Sequence, residues 1–205
     1  MMSNYHTPVM LHECIDGLDI QPAGTYVDVT FGGGGHSREI LKHLGEDGRL
    51  LAFDQDADAQ QNVPADDRFT FVDQNFRYLK NFCRLHDAMP VNGILADLGV
   101  SSYQFDQAER GFSIRFDAEL DMRMNQADSL SAKEVVNTYT EAELHRIFGM
   151  YGEIQNAKSL AKAIVTARLN TPITTVADLK NAIINLIPRG KENKYLAQVF
   201  QALRI

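Results

Sequence analysis

The sequence predicts an α/β fold in which helices cover a parallel β-sheet, followed by a helical region. Short runs of β-branched and aromatic residues alternate with helical patterns through the first half of the chain, as in repeated βα units. These strand-like runs stop after Asp97. Beyond that point, hydroxyl residues followed three positions later by an acid mark the starts of helices. We therefore expect a sheet domain over residues 1–105 and a helical domain over residues 106–205.

Four segments of the first half have the composition of buried strands. They cover residues 25–30, 49–53, 69–72 and 93–97. The segments between them, 37–44, 57–62 and 77–86, fit helices, and Gly45 should end the first because glycine commonly follows a helix C-terminus. The order βαβαβαβ predicts parallel strands joined by helical crossovers.

The second half begins with a loop and continues as helices. Residues 98–128 are rich in Gly, Ser, Asp and Arg with little periodicity, which is typical of a long functional loop. Apolar residues between 154 and 169 recur on one face at the helical period. Capping boxes predict three further helix starts: Ser131 with Glu134, Thr140 with Glu143, and Thr175 with Asp178.

Composition limits the class of protein. With 205 residues, of which 44% are hydrophobic, the chain can form one core and a smaller appended domain. No apolar run approaches the ~20 residues that span a bilayer, and the N-terminus lacks a secretory signal, so we expect a cytoplasmic protein without a membrane partner. Cys14, Cys83 and the scattered histidines lack metal-ligand spacing, so no metal site is predicted.

The charge distribution is uneven. The formal net charge of −7 disfavours a nucleic-acid partner for the chain as a whole. Residues 155–205, however, contain eight basic and two acidic residues, whereas residues 1–154 contain 12 basic and 25 acidic ones. Lysines often only solvate a helix surface, so this asymmetry permits an RNA partner without indicating one.

A glycine-rich turn carries the first chemical signal. The first strand runs into four consecutive glycines, residues 32–35, which open the first helix. Such a turn lets the backbone approach a ligand, and it directs N–H groups of the helix at negative charge. Asp54 ends the second strand, where an acid can accept hydrogen bonds from a ribose. Together these residues indicate a nucleoside cofactor, although a flexible turn and a helix-capping acid fit the same pattern.

Two classes of nucleoside cofactor fit this turn. The dinucleotide fingerprint requires a third small residue, and Ser37 stands at that position, so an NAD-linked oxidoreductase remains an alternative. Asp97 ends the fourth strand, at the carboxyl edge of the sheet beside the turn. An acid at this place suits a methyl-transfer pocket better than a hydride-transfer site.

Several strings resemble, in order, the MraW family of ribosomal RNA cytosine methyltransferases: TFGGGGHS, DLGVSSYQFD, AERGFS, LDMRM, YGE and FQALRI. The resemblance covers essentially the whole chain. It implies a Rossmann-like methyltransferase sheet with an inserted all-helical substrate domain, and S-adenosylmethionine as cofactor. It also implies methyl transfer to the exocyclic amine (N4) of a cytosine in 16S ribosomal RNA. The RNA is expected to be bound as part of the ribosomal particle. A non-catalytic RNA-binding or ribosome-assembly protein on the same scaffold is the alternative.

The resemblance also implies which residues bind the cofactor. It assigns three residues of the turn, one acid at the ribose, and three residues around the adenine and methionine parts. These are Gly34, Gly35 and His36, then Asp54, then Phe76, Asp97 and Gln104. His36 should have a positioning role, and Phe76 fits either a cofactor contact or the core.

The catalytic assignment rests on position. Asp97 is expected to be the catalytic residue because the carboxyl end of the fourth strand faces the crevice where such sheets bind ligands, although an acid that only anchors the cofactor or caps the following loop fits the same place. The RNA-binding assignment follows from the resemblance. The loop after the fourth strand fits either a packed lid or a substrate clamp in which arginines bind phosphate and an aromatic ring meets a base. With the resemblance we favour the clamp, formed by Arg110, Phe112, Arg115 and Arg123.

The chain departs from the family pattern at four places. Gly33 stands where the family usually has Arg. Around residues 151–157 and 191–198 the family usually has basic residues and a His-Pro stretch, where this chain has Ile154-Gln155-Asn156 and Lys194-Tyr195-Leu196. The family also continues past FQALRI into the final strands of the sheet, which are absent from these 205 residues. We therefore expect the fourth strand to lie at an unpaired sheet edge, so that either the natural protein is longer, or this segment is marginally stable or self-associates as a homo-oligomer.

Overall fold

The structure, a computed structural model, describes residues 8–204. It divides the chain into two compact units, Met1–Gly99 and Val100–Ile205. The division falls a few residues before the boundary between 105 and 106 that the sequence predicts. Val100 packs against the hydrophobic core of the second unit, and a short helix begins soon after it.

The first unit contains a parallel sheet in the order β3-β2-β1-β4. The predicted Rossmann-like α/β fold is thereby confirmed, with β4 next to β1 at one end of the described sheet. Because the strand order reverses on either side of β1, the carboxyl ends of β1 and β4 flank the crevice where such sheets bind ligands. The strands are β1 Thr25–Asp28, β2 Arg49–Asp54, β3 Phe69–Asp73 and β4 Gly93–Leu95.

Both faces of this sheet are covered. Side chains alternate along β1, so Tyr26 joins one buried cluster and Val27 joins another on the opposite face. In β2 the run from Leu50 to Phe53 is buried without interruption, as expected for a parallel strand packed on both faces. The covering helices are α1 Leu11–Leu18, α2 Gly35–His43 and α3 Leu79–Leu85.

Three local features differ from the sequence prediction. Helix α1 was not predicted. The segment Ala57–Asn62 is a 3₁₀ helix, and within it only Ala59 is buried, so it lacks the apolar face that would stabilise an α-helix. The third predicted helix begins as a 3₁₀ turn, Phe76–Tyr78, before α3.

The second unit is helical. Its core lies among α5 to α9, and all three predicted capping boxes start helices there. The long predicted loop contains a short helix whose own capping box, Ser101 with Gln104, was not predicted. The helices are α4 Ser102–Asp106, α5 Ala132–Thr138, α6 Glu141–Met150, α7 Ala157–Arg168, α8 Val176–Ile183 and α9 Glu192–Leu203.

The capping boxes make a direct prediction about stability. The Thr175 hydroxyl accepts the N–H of Asp178 at the start of α8, so Thr175→Ala should lower the free energy of unfolding by about 1 kcal/mol. Thr166→Ala in α7 is the matched control, because the Thr166 hydroxyl only donates to the Lys162 carbonyl within the helix and its loss should cost much less. Urea unfolding measures both changes, and equal losses would contradict the capping role.

Candidate nucleotide-cofactor site

The glycine-rich turn leads from β1 into α2. Gly32 and Gly34 adopt φ angles of +49° and +73°, the left-handed region that disfavours other residues. A Cβ atom added at Gly32 would meet nothing within 4 Å, whereas one at Gly34 would come within 2.8 Å of the Phe31 ring. The turn is therefore packed on its inner side and open at Gly32. The first N–H groups of α2 have no partner within the helix and face its N-terminal end.

The chain that precedes α1 lies against the same turn. A Cβ atom at Gly35 would overlap the ring of Pro8. His36 is buried, and its Nε2 lies 3.1 Å from the carbonyl oxygen of Val9. In the tautomer with a proton on Nε2, the imidazole donates to that carbonyl. The side chain of His36 thus holds residues 8 and 9 on the turn.

Asp54 ties the end of β2 to the turn. Its carboxylate accepts the N–H of Gly32 at 2.7 Å and the N–H of Asp56 at 2.9 Å. Burial raises the pKa of Asp54 above its usual value, and these backbone hydrogen bonds only partly oppose that rise. The acid predicted for a ribose therefore lies directly beside the open glycine.

A second acid at this edge was not predicted as functional. Asp28 ends β1, is fully buried, and accepts hydrogen bonds from the Ser37 hydroxyl at 2.8 Å and from the N–H of Thr30 at 3.0 Å. Burial raises its pKa. The sequence did contain a signal for this acid, because Asp28 lies within the apolar run of a buried strand. A buried acid needs hydrogen-bond donors nearby, so its position indicates a structured polar contact.

Asp97 lies just beyond the end of β4, and its side chain is exposed. Its N–H donates to the Thr30 hydroxyl at 2.7 Å, which links it to the segment that follows β1. A Cβ atom at Gly99 would meet nothing within 4 Å, so this segment also borders open space. The first unit therefore brings together the glycine turn, Asp54 and Asp97 at the carboxyl edge of one sheet.

Phe76 lies in the 3₁₀ turn after β3, and 43% of it is exposed. The turn is fixed by Asn75, whose side chain accepts the N–H of Arg77 and donates to Gln55 beyond β2. Exposure leaves the ring of Phe76 free to pack against a planar ligand, and it argues against the alternative that this ring is part of the core.

Gln104 lies in the second unit, on α4. Its side chain is buried, and its carboxamide oxygen accepts the N–H of Ser101 at 3.1 Å in the capping box of the helix. The structure thus gives Gln104 a local role at the start of α4.

The residues expected to clamp the substrate are largely engaged within their own loop. Arg110 and Phe112 are each only 2% exposed. The Arg110 guanidinium donates to the carbonyls of Arg123 and Met124, and its carbon lies 5.6 Å from the centre of the Phe112 ring. Arg110 and Phe112 therefore hold the loop together in this arrangement.

The other two arginines of the expected clamp have carboxylate partners. Arg123 forms an ion pair with Asp121 at 2.6 Å, and Arg115 forms one with Asp106 at 2.7 Å. Burial alone would raise the pKa of Asp121, but hydrogen bonds from Arg123 outweigh it and hold the pKa below its usual value. Arg115 is the more accessible of the two, with 59% of its side chain exposed.

The lysine-rich helices present a different set of cations. Lys158 and Lys162 are exposed one turn apart on α7, and Arg189, Lys191 and Lys194 are exposed near the start of α9. Within residues 8–204, the ion pairs found involve none of these five side chains. Their charges are therefore not neutralised locally.

Within residues 8–204, no helix is long and apolar enough to cross a bilayer.

Comparison with known proteins assigns the chain to a family. A protein that is called ribosomal RNA small subunit methyltransferase H, from Christiangramia forsetii, is 57% identical over 205 residues, which are 100% of this chain and 68% of that protein. The proteins of the same name from Flavobacterium johnsoniae and Bacteroides thetaiotaomicron are 58% and 59% identical over 98% of this chain, and over 67% and 66% of their own lengths. The chain thus spans about two thirds of the length of these relatives. The family model that describes the MraW methylase family matches residues 3–205, and the chain belongs to that family.

Proposed function

We propose that this protein is an S-adenosylmethionine-dependent methyltransferase that modifies the exocyclic amine (N4) of a cytosine in 16S ribosomal RNA. The observation that carries the proposal is the hydrogen-bonded arrangement in which Gly32 contacts Asp54 and Thr30 contacts Asp97. It joins the carboxyl ends of three adjacent strands at the reversal of strand order. The names of the relatives support ribosomal RNA of the small subunit as the substrate.

The residues at this edge fit the cofactor. Space is open at Gly32 and Gly99, and an acid lies beside the first of them. The N–H groups of Gly35 and His36 at the start of α2 would hold the methionine carboxylate. Asp54 would accept the ribose hydroxyls, and the exposed ring of Phe76 would cover the adenine. When bound, the cofactor supplies an electrophilic methyl group.

Asp97 is the proposed catalytic residue. Its exposed carboxylate can accept an N–H of the exocyclic amine and direct the nitrogen lone pair at the methyl group. The amine is a weak nucleophile because its lone pair is shared with the ring, so holding it in line supplies much of the catalysis. The same carboxylate favours the positive charge that develops on the nitrogen during attack.

The basic surface, defined as Lys158, Lys162, Arg189, Lys191 and Lys194, is the proposed contact for the RNA backbone. Its exposed charges are suited to phosphates, whereas the loop arginines already have carboxylate or carbonyl partners. Among the loop residues, Arg115 is the one whose exposure suits a further RNA contact. A target base within folded RNA must be turned out of its stack before it reaches Asp97.

Methyl transfer to isolated 16S RNA and to small ribosomal subunits tests the proposal as a whole. The expected result is one labelled methyl group, which mass mapping places on N4 of a cytosine. RNA binding without transfer would favour a ribosome-assembly protein. Binding of NAD but not of S-adenosylmethionine, measured by calorimetry, would favour an oxidoreductase.

Asp54→Ala should weaken the binding of S-adenosylmethionine and S-adenosylhomocysteine by about 1–3 kcal/mol, because the ribose hydroxyls lose their acceptor. Since Asp54 also accepts the Gly32 N–H, Asp54→Asn serves as a second variant that keeps one acceptor oxygen for the turn. Asp73→Ala, at the end of β3, is the matched control. Calorimetry measures all three, and unchanged affinity in both Asp54 variants would remove this residue from the site.

Asp97→Asn separates catalysis from binding because it keeps the shape and removes the charge. Turnover should fall by about 100-fold or more, while cofactor affinity changes little. Asp73→Asn is again the matched control. A loss that disappears at saturating cofactor would instead make Asp97 a binding residue.

Charge reversal tests the basic surface. The combined variant Lys158→Glu, Lys162→Glu and Arg189→Glu should weaken RNA binding, and the slope of log affinity against log salt should flatten by about 2. The matched control reverses Lys42, Lys80 and Arg84, which are exposed in the first unit. If both variants lose the same affinity, only the net charge matters and the RNA contact lies elsewhere.

A further inference from the structure

A side chain continues the contact between β1 and β4 beyond the last paired residues. The register of the two strands ends with Asp28 opposite Leu95, and the N–H of Val29 donates to the Leu95 carbonyl at 2.9 Å. Two residues beyond the end of β4, the N–H of Asp97 donates to the hydroxyl oxygen of Thr30 at 2.7 Å. The Thr30 side chain thus takes the place of a backbone acceptor at the point where the strands stop pairing.

The Thr30 hydroxyl also has an acceptor for its own proton. A hydroxyl has one proton to donate, and its oxygen can accept as well. Because the oxygen accepts the N–H of Asp97, the proton is directed at Asp28, whose Oδ1 lies 3.4 Å away and also accepts the Thr30 N–H at 3.0 Å. Asp28 is held in turn by the Ser37 hydroxyl on its other oxygen, at 2.8 Å.

The buried members of this chain of contacts have little freedom to move. Asp28 and Ser37 are fully buried, so neither can exchange its partner for water without opening the core. Thr30 is half-buried between them and the exposed Asp97. Residues 98–100 have no regular secondary structure. Pairing with a neighbouring strand therefore does not hold the segment that follows Asp97.

We propose that Thr30 is a positioning residue that sets the place of Asp97, with Asp28 orienting the Thr30 hydroxyl. This inference rests on the catalytic role proposed for Asp97. Thr30 touches the backbone of Asp97 and leaves its carboxylate free for the amine. A shift of about 1 Å in a catalytic group can cost about 100-fold in rate, so the loss of one hydrogen bond at this place should reduce turnover more than stability.

Two substitutions at Thr30 separate the hydroxyl from the shape of the side chain. Thr30→Val removes the hydroxyl with almost no change in shape, and Thr30→Ser keeps the hydroxyl in a smaller side chain. Thr70→Val, on the half-buried strand β3, is the matched control. If Thr30→Val does not fold, Thr30→Ala removes the same group without adding apolar volume.

The first readout does not depend on activity. Amide hydrogen exchange at Asp97, followed by NMR, should become about tenfold faster or more in Thr30→Val, because the N–H loses its acceptor. It should stay near the wild-type rate in Thr30→Ser and in Thr70→Val. Unchanged exchange in Thr30→Val would overturn the inference.

The second readout is the division between kcat and binding. Thr30→Val should lower kcat at saturating cofactor by about 10- to 100-fold, with little change in cofactor affinity or in KM for RNA, and Thr30→Ser should recover most of the loss. Equal losses in the Val and Ser variants, or a loss confined to cofactor affinity, would overturn the positioning role. A wild-type protein that transfers no methyl group would refute the proposed function, whereas the exchange rates would still decide whether Thr30 holds Asp97.

Discussion

A buried carboxylate at the end of β1 joins the parts of the site. Asp28 is fully buried, and a carboxyl group in such a place is tolerated only if hydrogen bonds replace the water that it has lost. The donors come from Ser37 in α2 and from Thr30, which also accepts the N–H of Asp97. The need to satisfy one buried acid therefore fixes the start of α2 and the residue beyond β4 relative to β1.

Asp54 makes a similar connection between β2 and the glycine turn. Its carboxylate accepts the N–H of Gly32, which has a left-handed conformation. The two acids thus hold a turn that contains no side chains of its own over four residues. A ligand that binds at Gly32 would meet a backbone already organised, so little conformational entropy would be lost on binding.

The sequence predicted those features that depend on local interactions. The strands follow from runs of apolar residues, and the helix starts at Ser131, Thr140 and Thr175 follow from capping boxes, because both signals lie within a few residues of the element. The glycine turn and Asp54 were predicted for the same reason. Asp97 was predicted from its position at the end of the fourth strand, and the resemblance to a family supplied the identity of the cofactor.

Long-range contacts and burial could not be predicted in this way. The role of Thr30 depends on β4 lying beside β1, and its partner Asp97 is distant in the chain. The arginines of the loop illustrate the second limit. A motif gives the residue type but not its exposure, and Arg110 is buried against carbonyls of its own loop. Whether such an arginine meets phosphate or backbone is decided by tertiary packing.

The proposed cofactor site therefore lies at the carboxyl edge of the sheet. The most direct test is a two-dimensional NMR titration with S-adenosylhomocysteine, which reports on every amide at once. The largest shifts should occur at residues 32–36 and at Asp54 and Asp97, with small changes on α7 and α8. Saturable binding with its shifts centred on those helices, or no shift at the glycine turn, would contradict a cofactor site at this edge.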